Sequence, residues 1–111
     1  MTLNSRAKGA RAEVEAVKLI HDLTGYPTRR LRGPGANADA GDIGGVPGCI
    51  IEVKDRVNVG ESISIGIPQA RAAAQRTGTP WPTVWVRLRG GRWVVVMEPD
   101  AWAAMHREAT A

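Results

Sequence analysis

The chain has 111 residues, 43% of them apolar and 23% charged, a balance that predicts one globular domain over 1–111 and excludes a disordered chain. No run of about 20 apolar residues stands ready to span a bilayer, the first residues lack the apolar stretch of a signal peptide, and a single cysteine, Cys49, excludes an internal disulfide and fits a reducing cytoplasm. Fifteen Lys/Arg against eleven Asp/Glu give a net charge of +4, which leans toward a polyanionic partner.

Ala10 to Leu23 is predicted as a helix. Glu13, Ala16, Val17, Ile20 and Thr24 recur at three- and four-residue spacing, and Ala12, Leu19 and Leu23 broaden the stripe. Gly25 ends it. A glutamate at the head of a buried stripe is unusual, which singles out Glu13; a first-turn acid favoured by the helix dipole is the plainer explanation, and it covers Glu15 as well. Pro27 to Arg32 reads as a short strand and residues 33–41 as a loop of small residues with Asn37 and Asp39. Asp42 to Val46 starts a strand, Pro47-Gly48 is a turn, and Cys49 to Lys54 returns as its partner. Residues 55–66 are polar and irregular, with Val57, Val59, Ile63 and Ile65 alternating as in a β-arm or an ordering loop. Ile67 to Thr77 is a second helix with Pro68 at its beginning and Gly78 beyond its end. Thr83 to Leu88 and Arg92 to Met97 form a hairpin around Arg89-Gly90-Gly91, and Pro99 to Arg107 is a terminal helix. The order α-β-β-β-α-β-β-α predicts an α/β fold, a central mixed β-sheet flanked by helices.

Alternation along a strand puts Glu52 and Lys54 on one face and Cys49 on the other. Asp42, on the adjacent strand, can face the same side as Glu52, and two such carboxylates suit a hard cation, Mg²⁺ or Mn²⁺. The Val53 carbonyl or a water could complete the shell, and Glu13, carried over the sheet by the first helix, could add a further ligand. Lys54 could orient or deprotonate a water, or neutralise charge on a phosphorus under attack. Against this stand a loop acid at Asp42 and an exposed edge-strand ion pair at Glu52 and Lys54. Cys49 suits core packing, and His21 and His106 have no metal-ligand spacing. Trp85 and Trp93 suit the core, while Trp81 and Trp102 could stack on a base or cover an interface.

Lys8-Gly9-Ala10-Arg11-Ala12-Glu13, then Arg30-Leu31-Arg32-Gly33-Pro34-Gly35 before Asp42-Ile43, then Glu52-Val53-Lys54 stand in one order along the chain. In these segments the chain resembles the PD-(D/E)XK nuclease superfamily and, within it, the Holliday junction resolvases of archaeal type, over roughly residues 6–98. Gly41 stands where the superfamily's name has a proline, and Asp39 competes with Asp42 as the metal acid. The resemblance implies a restriction-endonuclease-like fold and a divalent-metal-dependent endodeoxyribonuclease cutting four-way DNA junctions in recombination and repair. Glu13, Asp42 and Glu52 would be its acids and metal ligands, Lys54 its catalytic lysine, and Arg30 or Arg32 the arginine near the scissile phosphate. Gln69 or Gln75 would face the site. Arg6, Lys8, Arg11, Arg30 and Arg32 would hold DNA phosphates, with salt-sensitive binding. Two matched cuts need two sites at fixed spacing, which a homodimer supplies; Ile63, Ile65, Ile67 and Trp102 are candidates for that interface. The compact size favours a stand-alone enzyme, one that a phage could encode, working in the cytoplasm beside the nucleoid. A nicking, repair or restriction-type nuclease of the same fold, or a non-catalytic DNA-binding protein, are the alternatives.

Overall fold

The computed structural model describes residues 2–31 and 40–111, with side chains described from residue 7 onward. Its elements are α1 (Thr2–Thr24), β1 (Arg29–Arg30), β2 (Ile43–Gly44), β3 (Cys49–Lys54), α2 (Val59–Thr77), β4 (Trp81–Arg87), β5 (Trp93–Val96) and α3 (Pro99–Ala109). The strands form one mixed five-stranded sheet in the order β1-β2-β3-β4-β5. Every neighbouring pair is antiparallel except β3 and β4, which run parallel with Glu52 opposite Val84 and Lys54 opposite Val86. A parallel pair needs a crossover, and α2 supplies it. The fold is therefore α/β, a central mixed sheet flanked by helices.

Strand alternation sorts the core into two faces. Toward α1, Ile43, Ile51 and Val53 pack on Ala12, Ala16 and Ile20, with Cys49, Trp85 and Trp93 at the margin. Toward α2, Ile50, Val84 and Val86 pack on Ala70, Ala73 and Ala74, with Ile63 and Ile67 alongside. The small residues of α2 bring its backbone close to the sheet: a Cβ on Gly66 would stand 2.7 Å from Val84 Cγ1. Glu15, on the flank of α1, accepts from Arg87 Nε at 3.0 Å and from Trp93 Nε1 at 2.8 Å and so ties α1 to the β4–β5 hairpin.

Several expectations change. The segment predicted to be irregular, 55–66, contains the first turns of α2, which starts at Val59 and not at Ile67. Asn58 caps it, its side-chain oxygen accepting from the Glu61 N–H at 3.0 Å, the N-terminal half of a capping box. Pro68 consequently sits inside the helix rather than at its head; it is exposed, so the Ser64 carbonyl that loses its intrahelical donor can be met by water. Ile63 and Ile67, named for the expected dimer surface, are partly buried against the molecule's own core. Leu23, assigned to the buried stripe of α1, is 70% exposed. Trp81 lies over Gly48, where a Cβ would collide with its ring, and Trp102 stacks on His106 with ring centroids 5.2 Å apart. Arg32 and the loop 33–39, with Asp39, lie outside the described residues, as does the Arg6 side chain. Among the described residues no helix is long and apolar enough to cross a membrane.

Candidate functional site: a carboxylate pair between β3 and α2

Glu52 and Lys54 point to the α2 side of the sheet, where they and Asp42 line a groove of about 520 Å³ closed by Pro68, Gln69, Ala72, Ala73 and Arg76. Asp42 precedes β2 rather than opening it. Its place is fixed by three hydrogen bonds: its N–H donates to the Ile51 carbonyl at 2.9 Å, its carbonyl accepts from the Leu31 N–H at 2.9 Å, and its Oδ2 accepts from the Val53 N–H at 2.8 Å. The last bond holds the Asp42 carboxylate against the strand segment that carries Glu52 and Lys54.

Gly41 makes this approach possible. Its φ is +90°, and a Cβ there would stand 3.0 Å from the Ile51 carbonyl oxygen and 3.2 Å from Ile50 Cγ2. A proline, fixed near −65°, does not fit this turn.

Glu52 is only 9% exposed. Burial, then the charge of Asp42 and a hydrogen bond with it, push its carboxyl up to about 8; Lys54 opposes this and Glu13 adds to it. Two carboxyls in hydrogen-bond contact cannot both ionise without help, so one proton or one cation belongs between them. Glu13, 7% exposed on α1, accepts from Arg30 Nε at 3.1 Å. It acts on Glu52 through its field. Among the described residues no group of three or more His, Cys, Asp or Glu side chains is arranged to hold one metal ion.

The other expected residues are dispersed. Lys8 lies 3.9 Å from Asp55, and with Arg56, Asn58 and Lys54 it lines a second groove, of about 470 Å³, which Lys54 joins to the first. Arg11 is exposed on α1. Of the two glutamines, Gln69 lines the carboxylate groove and Gln75 lines a different one, beside Arg71 and Asp100. Sequence reasoning missed two participants. The Val53 N–H could not be found, because its partner lies eleven residues away across a turn. Arg76 could: it follows Gln69 by seven positions, two turns of the same helix face.

A larger apolar groove, about 670 Å³, lies on the opposite side of the sheet between α1 and α3, lined by Ile20, Ile51, Trp85, Val95, Trp102 and Met105 among others. Among the described residues its one ionisable group is the Cys49 thiol, which burial pushes up, away from reactivity. Compared with known proteins, the chain matches no family model, no curated protein and no solved structure.

Proposed function

We propose that the chain is a divalent-metal-dependent endodeoxyribonuclease that hydrolyses phosphodiester bonds in branched DNA, four-way junctions first among them. One observation carries this: the buried Glu52 carboxyl is forced against Asp42, beside Lys54, at the floor of an open groove. A structural ion pair would match charges, whereas here two acids share one place and a lysine stands by.

The donor set suits Mg²⁺ or Mn²⁺, which are commonly held by one or two carboxylates, with waters and substrate phosphate filling the other positions. Bound there, the ion supplies Lewis-acid polarisation of the phosphate and charge stabilisation on the leaving oxygen. Asp42, locked by the Val53 N–H, and Glu52, locked by burial in β3, provide the rigid half of that shell. Lys54 neutralises charge on the phosphorus under attack or orients the water. Glu13 enters the proposal as the third acid, raising the negative field at Glu52 and holding Arg30 near the sheet edge.

The substrate class rests on the motif order shared with the junction resolvases, from Lys8-Gly9 through Glu13 and Asp42 to Glu52-Val53-Lys54. The homodimer belongs to the same proposal; exposed Leu23, Val95 and Trp102 are apolar enough to contribute to such a contact. The test compares a synthetic four-way junction, a nicked duplex and a linear duplex in Mg²⁺. Paired symmetric cuts confined to the junction are expected. Equal cutting of all three would remove the junction preference and leave a general or repair nuclease; binding of the junction without any cutting would leave a DNA-binding protein.

A further inference from the structure

The carboxylate groove raises a problem that its acids cannot solve. A phosphodiester is an anion, and Asp42 and Glu52 repel it. Cations must draw it in, and two of the groove's lining residues are cationic: Lys54 on β3 and Arg76 on α2. We propose that Arg76 holds a phosphate several steps along the strand from the one that faces Lys54, so that α2 is the second wall of the nucleic-acid track; this rests on the nuclease reading of the site.

The geometry of α2 supports the assignment. Gln69, Ala72, Ala73 and Arg76 recur at three- and four-residue spacing and share the groove face. Ala72 and Ala73 keep the middle of that wall shallow, which leaves room for a backbone to lie along it. Gly66 of the same helix sits over Val84, the register partner of Glu52. A crossover helix runs back against its strands, so Arg76 lies roughly 15 Å along the axis from that level, away from Lys54. A strand's phosphates advance about 3.4 Å per step along a duplex axis, so the two cations face different phosphates. Past Lys54 the track continues into the groove that carries Lys8 and Arg56. A guanidinium, with its planar fork of donors, suits such a positioning contact.

Arg71 is the internal control. It lies on the same helix and carries the same charge, but it lines a different groove. Binding of a labelled four-way junction and of a linear duplex is measured for Glu52→Gln protein without metal, alone and with Arg76→Ala, Arg76→Lys or Arg71→Ala, over a range of salt. Junction cleavage in Mg²⁺ is measured with the same Arg substitutions in otherwise unaltered protein. Arg76→Ala is expected to weaken binding about tenfold near 0.15 M salt and to lower the slope of log Kd against log salt by about one; Arg76→Lys keeps the slope, and Arg71→Ala changes Kd less than about twofold. Equal effects of Arg76→Ala and Arg71→Ala on Kd and KM would overturn the assignment, even if the unaltered protein cuts DNA. Loss of binding specific to Arg76→Ala in a protein that never cuts would uphold it and sink the nuclease reading instead. Absence of binding altogether would overturn both.

Discussion

At the residue scale, the central feature is a proton that Glu52 holds beside Asp42. The Glu52 carboxyl is raised from 4.5 to about 8, with burial the first cause. The folded protein therefore retains a proton that the unfolded chain releases above about pH 4.5. The stability this proton lends is fully present below that pH and declines as pH rises through about 8, with a slope approaching 1.4 kcal/mol per pH unit in between. Urea denaturation without metal should show that decline; Glu52→Gln should flatten it and be the more stable protein at pH 8. A decline of equal steepness in Glu52→Gln would place the titration elsewhere. Mg²⁺ should stabilise the unaltered protein at pH 8 and leave Glu52→Gln unmoved. Much of this residue-scale picture was legible: alternation put Glu52 and Lys54 on one face, and a glutamate at the head of a buried stripe marked Glu13. The depth of the pair was not legible, because it depends on the Gly41 turn and on the Val53 N–H that pulls Asp42 inward, contacts made between segments rather than within them.

At the element scale, α2 is where sequence and structure part. The alternation of Val57, Val59, Ile63 and Ile65 suggests a β-arm or an ordering loop, yet Ser62, Gly66 and Ala70 are buried at four-residue spacing and Ile63 and Ile67 follow the same period on the core side. The period of small residues, not of large ones, marks the buried face, since only small residues let α2 settle onto β4. The Asn58 cap with Glu61 three residues on was the local sign of the helix start. Asn58→Ala should cost about 1 kcal/mol of stability, measured by urea denaturation. Gly66→Val, which drives a branched side chain into Val84, should cost on the order of 2 kcal/mol or more. A neutral Gly66→Val would mean that α2 does not approach β4 this closely. β3, by contrast, spans the predicted Cys49–Lys54, and α3 runs only two residues past its predicted end, while α1 starts at Thr2, two turns before the predicted Ala10.

At the scale of the whole molecule, the sheet separates two different surfaces. On the α2 side lies the groove of carboxylates and cations; on the other, between α1 and α3, lies an apolar groove with Trp102 at its rim. Element order and mixed sheet were readable from the alternation of helical and strand periods, because the one parallel pair demands the one long crossover. Which sides the grooves occupy was not, since that follows from how α1 and α3 divide a single face. The proposed chemistry makes the polar side the catalytic one and involves every element near it. There β3 presents Glu52 and Lys54, the Gly41 turn delivers Asp42, and α2 walls the track. The measurement that tests this most directly is the rate of four-way junction cleavage in Mg²⁺ at pH 8 for the unaltered protein, Glu52→Gln and Lys54→Ala, with a chelator as control. Cleavage that chelation abolishes, with each substitution lowering kcat by about a hundredfold or more and junction binding retained in Glu52→Gln, is the predicted result. Cleavage that persists in the chelator, or in either variant at the unaltered rate, would contradict a metal-assisted site built on this pair.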